Sequence, residues 1–239
     1  MGINFQPIYI LASGSERAKD MLDTVSNNLA NINTPGFKKL ILREMSQNIP
    51  NNPGKSKELF TFARFNDNPV ILNQGTLRET KRKLDFAITG EGFFTVQDKA
   101  GNIFLTRNGH FFIDKTGTLI DQNGNIVLDE NNNPITIDSS KDLVVLKDGT
   151  IYQGSNQIAK LKITNYQSVK PVGNSYYTPA GNQIASNYQI HQGFLENSNV
   201  NGIKEMINLI EANRRFDIYG NLIRALDQLE QKTHEIGRA

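Results

Sequence analysis

From Val200 to Ile236 the chain has no proline and only two glycines, Gly202 and Gly220. Through that stretch Ile203, Ile207, Ile210, Ile218, Leu222, Ala225, Leu229 and Ile236 recur at steps of three and four or their sums. That spacing marks one face of an α-helix and, sustained over several turns, a coiled-coil seam. A helix of this length would run roughly 50 Å and could not bury its apolar stripe alone, so it needs a partner. The first thirty-odd residues repeat the pattern at Ile8, Leu11 or Ala12, Ser15, Ala18, Leu22, Val25, Leu29 and Ile32. They end at Asn33-Thr34-Pro35-Gly36, where proline removes a donor and disfavours helix in the residue before it. The economical solution is that the two ends pair and the middle folds as an insertion between them.

The middle has strand character. Leu84–Ile88 alternates, Gly90-Glu91-Gly92 follows, and Phe93–Val96 resumes the apolar pattern. Short apolar runs then alternate with turn signals at Gly101-Asn102, Asn108-Gly109, Lys115–Gly117, Asn123-Gly124, Asn131–Pro134 and Asp148-Gly149. Asn-Gly and Asp-Gly suit type I′ hairpin turns, whose two central residues both need positive φ. Strands at this spacing predict a β-sandwich or small barrel, with Phe86, Ile88, Phe93, Val96, Leu105, Phe111, Leu119, Val127, Val145 and Leu161 as its core. Ile158–Tyr166 reads as a further strand, and Gln167–Ala185, polar and broken by Pro171, Gly173, Pro179 and Gly181, reads as a loop. The expected fold class is α+β: a discontinuous terminal α-helical coiled-coil domain, 1–36 plus 197–239, with an inserted all-β domain, 84–196. A connecting segment with short strands, 37–83, lies between.

Little points to catalysis. The net charge of +2 gives no electrostatic case for nucleic acid or an anionic membrane. Arg78, Lys81, Arg82 and Lys83 form the one basic cluster and read as a solvated face. With no cysteine there is neither a disulfide nor a thiolate site. His110, His191 and His234 lie far apart and lack metal-ligand spacing. Gly90-Glu91-Gly92 starts like a dinucleotide fingerprint, but Thr95 stands where the third glycine belongs and no βαβ unit surrounds it. Ser13-Gly14-Ser15 does not match a nucleophile elbow. The expectation is therefore no enzyme, no cofactor, no metal, no nucleic acid and no membrane insertion. A cleaved Sec-type signal is not evident, and Ile8–Ala12 is too short to span a bilayer.

Three stretches carry a resemblance. Leu29-Ala-Asn-Ile-Asn-Thr-Pro-Gly-Phe-Lys38 resembles the N-terminal motif of the bacterial flagellar rod and hook proteins. Leu84–Phe94, followed by Thr106-Arg-Asn-Gly109, is similar to the start of their β-rich domain. Gly193–Val200 with Met206–Phe216 is similar to their C-terminal segment, and the Ala212-Asn-Arg-Arg-Phe216 portion resembles the proximal rod type, with a distal rod subunit as the alternative. The resemblance implies an axial protein of the flagellar basal body, in the periplasmic rod, exported by the flagellar type III apparatus without a cleaved signal. It would self-associate and meet other axial proteins of the rod and hook family, its terminal helices forming the inner layer of a tube and its β domain the outer. On this reading Asn31, Asn33, Thr34, Pro35, Gly36 and Phe37 form an assembly motif, and Ile203, Ile207, Ile210, Ile218, Leu222 and Leu229 form the assembly stripe. A different class stays open: a β-rich ligand-binding module on a helical dimerisation stalk.

Overall fold

The structure, a computed structural model, describes residues 6–48, 61–67 and 69–236. The fold is α+β, with a helix near each end and strands between. The described residues group into two units, which are taken in turn: 6–30, 40–48, 61–67, 69 and 201–236 in one, and 31–39 with 70–200 in the other.

The first unit holds α1 (Gln6–Ala30), the antiparallel hairpin β1 (Arg43–Asn48) and β2 (Thr61–Asp67), and α2 (Gly202–Ile236). Asn201 caps α2, its side-chain oxygen accepting from the Lys204 amide at 3.1 Å. Gly14 of α1 lies against the Tyr219 ring, so close that a Cβ there would stand 2.4 Å from it. Near the other end of α1, the Asn28 amide donates to Glu205 Oε2 at 3.4 Å. Those two contacts are the same fourteen residues apart on each helix, so α1 and α2 run antiparallel. Asn28 also grips both backbone groups of Leu40, accepting from its N–H at 2.9 Å and donating to its carbonyl at 2.8 Å. The α1 face that disappears from solvent is small and polar: Gly14, Ala18, Thr24, Val25 and Asn28.

The second unit is all β. Its strands are β3 (Leu77–Glu79), β4 (Phe86–Gly90), β5 (Phe93–Gln97), β6 (Ile103–Thr106), β7 (Phe112–Ile113), β8 (Leu119–Ile120) and β9 (Ile126–Val127). Then come β10 (Leu143–Val145), β11 (Thr150–Gln153), β12 (Asn156–Lys160), β13 (Ile163–Gly173), β14 (Tyr176–Ile184), β15 (Tyr188–Gln192) and β16 (Phe194–Glu196). The largest sheet runs β13-β14-β6-β5-β9-β8-β7, and β13 also pairs with β5, so β5, β6, β14 and β13 close on themselves. Each of those four strands supplies one residue to a compact cluster: Phe93, Leu105, Tyr177 and Val169. The next residue along β5, Phe94, faces a larger core with Phe86, Ile88, Phe111, Leu119 and Ile151. Alternation thus lets one strand serve two cores. All ten core residues expected from the sequence are buried.

Two local expectations are corrected. Gln167–Ala185 is not a loop: all but Ala185 belongs to the antiparallel pair β13 and β14 and its turn, with Pro171 opposite Tyr177 and Pro179 opposite Val169. Here the I′-like turn occurs at Asn174 and Ser175, whose φ values are 49° and 62°. The Asn-Gly and Asp-Gly pairs, by contrast, do not form I′ turns, because only the glycine has positive φ at Gly124 and Gly149, and neither residue does at Asn108-Gly109. A different turn recurs four times. Asp98, Asp114, Asp121 and Asp129 each accept two backbone N–H bonds, from the second and fourth residues on. The third residue on has positive φ: Gly101, Gly117, Gly124 and, in the last copy, Asn132. The aspartate side chain does what a second left-handed residue would otherwise do. Hydrogen bonds hold the Asp98 and Asp114 carboxyls below the usual range, chiefly from the side chains of Asn102 and Thr116.

Candidate functional site: a buried charged clasp and an open helix face

In the β unit, the chain from Asn31 to Lys39 is held by successive turns. Thr34 N–H donates to the Asn31 carbonyl at 3.1 Å, and Phe37 N–H to the Thr34 carbonyl at 3.3 Å. Gly36 has φ of 70°, and a Cβ on it would lie 2.3 Å from the Arg107 carbonyl carbon and the Asn108 nitrogen. Only glycine combines that conformation with that approach. The Gly36 N–H donates to the Glu196 carbonyl at 2.7 Å. Phe37 is buried, Asn31, Thr34 and Pro35 are half-buried, and Asn33 is exposed.

Behind this turn sits a charged group that motif reading alone does not single out. Lys38 Nζ lies 2.6 Å from Glu196 Oε1, with 1% and 0% of the two side chains exposed. The ammonium also donates to the Asn73 carbonyl at 2.8 Å. Arg107 reaches Glu196 Oε2 at 3.3 Å and donates to the carbonyls of Ile88 and Gly90. The Gly75 N–H adds a bond to Glu196 Oε1. Two cations thus share one carboxylate in a dry interior. Burial pushes both the Lys38 ammonium and the Arg107 guanidinium below their ordinary values, against the opposing pull of Glu196. Tyr177 joins through its hydroxyl, which accepts from the Lys38 N–H at 3.2 Å; burial raises its own pKa. Asn199 completes the arrangement, accepting from Lys39 N–H and donating to the carbonyls of Ile71 and Asn73. The available signal in the sequence was one charge inside each otherwise apolar or turn-rich motif: Lys38, Arg107 and Glu196.

In the helical unit, α2 carries apolar residues on more than one face. Ala212 and Glu205 are buried, and Leu209, Tyr219, Ile223 and Leu226 are half-buried. The expected stripe stands elsewhere on the helix. Ile203 is 71% exposed, Ile207 55%, Leu222 45% and Leu229 60%, and Ile210 and Ile218 are equally open. The expectation that this stripe packs on the N-terminal helix of its own chain is therefore corrected. Residues a few positions round α2 fill that role, because a helix face three or four residues wide cannot point both ways.

The remaining chemistry is structural. His110 Nδ1 lies 2.7 Å from Asp85, and its ring meets Phe112 edge-on. Of the basic cluster, Arg78, Lys81 and Lys83 are exposed, whereas Arg82 is half-buried: it bonds Asp85 and the Phe111 carbonyl and lies over the Phe112 ring. His191 meets Phe194, while the side chain of His234 lies outside the described residues. Among the described residues no group of His, Asp and Glu forms a metal-binding cluster, and no helix is long and apolar enough to cross a membrane.

Three family models match the chain: "Flagella basal body rod protein" over 8–38, "Flagellar hook protein FlgE/F/G D1 domain" over 87–153, and "Flagellar basal body rod FlgEFG protein C-terminal" over 191–236. The flagellar basal-body rod protein FlgG of Buchnera aphidicola (subsp. Schizaphis graminum) is 30% identical over 96% of this chain and 98% of its own length. The chain belongs to the flagellar basal-body rod protein family. A FlgF rod protein of Caulobacter vibrioides is 32% identical over 95% of the chain and 96% of its own length, and one from Rhizobium meliloti 32% over 91% of each. Each of the three matched segments contributes one member of the buried clasp: Lys38 from the first, Arg107 from the second, Glu196 from the third. The clasp thus ties the three matched segments together within the β unit.

Proposed function

We propose that the chain is a structural subunit of the bacterial flagellar basal-body rod, of the proximal type. Its terminal helical domain, 1–36 plus 197–239, polymerises as a coiled-coil inner layer of a helical tube, with the β-rich domain, 84–196, outside and 37–83 connecting them. The tube transmits torque and encloses the export channel. The subunit has no catalytic role and reaches the periplasmic rod through the flagellar type III apparatus without a cleaved signal. Its partners there are copies of itself and other axial proteins.

The observation that carries this reading is the open apolar stripe on α2, Ile203 to Leu229. A soluble chain that leaves such a stripe bare has an interaction surface, and contacts that are heterologous and do not close produce helical filaments. Each aliphatic side chain taken from exposed to fully buried contributes roughly 1.5–3 kcal/mol, repeated at every subunit. The turn at Asn31–Phe37 serves assembly indirectly in this reading, by fixing the chain on the clasp. Imaging a tagged copy in purified basal bodies tests it: density in the proximal rod is expected. A tag confined to the distal rod would reassign the subunit to the distal type. A soluble dimer insensitive to concentration, with no tag in the rod, would favour a ligand-binding module on a stalk.

A further inference from the structure

Asn-Gly pairs carry a chemistry of their own, unrelated to assembly. Glycine leaves its backbone nitrogen unhindered, so that nitrogen can attack the side-chain amide of the asparagine before it. The chain has three such pairs, Asn108-Gly109, Asn123-Gly124 and Asn201-Gly202, and the fold treats them differently. Asn108 is buried, its side-chain oxygen accepts from the His110 N–H at 3.1 Å, and the Gly109 carbonyl accepts from the Phe86 N–H at 3.0 Å. A Cβ on Gly109 would stand 1.8 Å from the Phe86 carbonyl oxygen, so this backbone has no room to turn. Asn201 is exposed but caps α2: its side chain holds the Lys204 N–H, its carbonyl accepts from the Glu205 N–H at 3.0 Å, and Gly202 is already helical. Asn123 is exposed in the turn between β8 and β9, and a Cβ on Gly124 would meet nothing within 4 Å. Two hydrogen bonds restrain the reacting groups there. The Gly124 N–H donates to the Asp121 carbonyl at 3.1 Å, and Asn123 Nδ2 donates to the Tyr176 hydroxyl at 2.7 Å. Bonds in an exposed turn open locally, whereas Asn108 waits for the core to open.

We propose that Asn123 is the Asn-Gly site at which this chain modifies itself first, by closing on Gly124 to a succinimide, and that the Tyr176 hydroxyl restrains the step. The Gly124 nitrogen gives its proton to hydroxide and bonds to Asn123 Cγ. The Cγ–Nδ2 bond breaks, and Nδ2 takes a proton from water and leaves as ammonia. One water then opens the ring at either carbonyl, giving aspartate or isoaspartate, so the net change is water in and ammonia out. Opening at the main-chain carbonyl leaves the backbone running through Cγ, one atom longer, inside the turn where Asp121 accepts N–H bonds from Asn123 and Asn125 at 2.9 Å each. Either product puts a second carboxylate in the Asp121 turn and takes an amide donor from Tyr176. The test incubates the purified full-length chain at mildly alkaline pH and maps its peptides by mass, with isoaspartate separated by chromatography. Modification at Asn123 is expected before Asn108 and Asn201; either of those reacting first or together with it overturns the assignment. In urea the three rates are expected to converge, and an undiminished lead for Asn123 overturns the claim that the fold selects it. Tyr176→Phe keeps the ring beside Phe104 but releases the Asn123 amide. It is expected to speed the reaction at Asn123 roughly fivefold, the worth of one neutral hydrogen bond; an unchanged or slower rate overturns the restraint.

Discussion

The β unit and the helical unit resolve the same problem, burying apolar surface, to different degrees. In the β unit Phe86, Ile88, Phe94, Phe111 and Leu119 are wholly buried, and the buried charges have partners: Lys38 and Arg107 on Glu196, and Asp85 with Arg82 and His110. In the helical unit the α1 face lost to solvent is small and polar, Gly14, Ala18, Thr24, Val25 and Asn28, and the α2 row from Ile203 to Leu229 stands open. The β unit has taken its large apolar residues out of solvent within the chain, whereas α2 keeps a row of them exposed. On the function proposed above, the difference separates stability from assembly: the first resides in the β core and its clasp, the second in a helix face that contributes little until it is covered.

The sharpest way to break that comparison is through the clasp. Glu196→Ala leaves two buried cations facing each other and is expected to destabilise the β unit by about 3–5 kcal/mol, read as a lower unfolding midpoint in urea. Lys38→Met should cost less, about 2 kcal/mol, because Glu196 keeps Arg107 and the Gly75 N–H while a buried positive charge disappears. If the lysine variant proves the worse of the two, the clasp is not held by its shared carboxylate.

A smaller effect sharpens the account of the turns. The carboxyls of Asp98 and Asp114 are held below the ordinary aspartate range by the side chains of Asn102 and Thr116 and by backbone donors. A carboxylate with a depressed folded-state pKa stabilises the fold above its unfolded value, and that contribution is lost as pH falls below about 4 toward the folded pKa. Asp114→Asn should therefore lower the midpoint at neutral pH and flatten the acid limb of stability against pH. An unchanged acid limb would contradict the assignment. The smallest effect is a gain. Asn132 has φ of 64° where the three sister turns have glycine, so Asn132→Gly should stabilise by no more than about 0.5 kcal/mol.

Much of this was legible in the sequence. Periodicity located both helices, and alternation located the β core, because a period of 3.6 or 2 is imposed by geometry whatever the tertiary partner. What escaped depended on partners distant in the chain. Pro171 and Pro179 signal a loop locally, yet β13 and β14 accommodate them opposite Tyr177 and Val169. Asn108-Gly109 signals a hairpin, yet Gly109 is there because a Cβ would stand 1.8 Å from the Phe86 carbonyl oxygen. Lys38, Arg107 and Glu196 lay inside the motifs that carried the family resemblance, but no local pattern says that charges 69 and 89 residues apart share one site. On α2 two faces carry apolar residues, Ile203 to Leu229 on one and Leu209, Ala212, Tyr219, Ile223 and Leu226 on the other, so periodicity alone does not say which one packs within the chain.

Leu222→Asp, supplied as the only copy of the full-length chain, tests the separation of stability from assembly most directly. Leu222 is already 45% exposed, so the substitution should shift the unfolding midpoint of the isolated subunit by no more than about 0.5 kcal/mol. The same cells should make and export the subunit yet lack a completed rod and hook, and should not swim. Normal swimming, or an isolated subunit unfolded by the change, would contradict the claim that α2's open face belongs to the neighbour rather than to the fold.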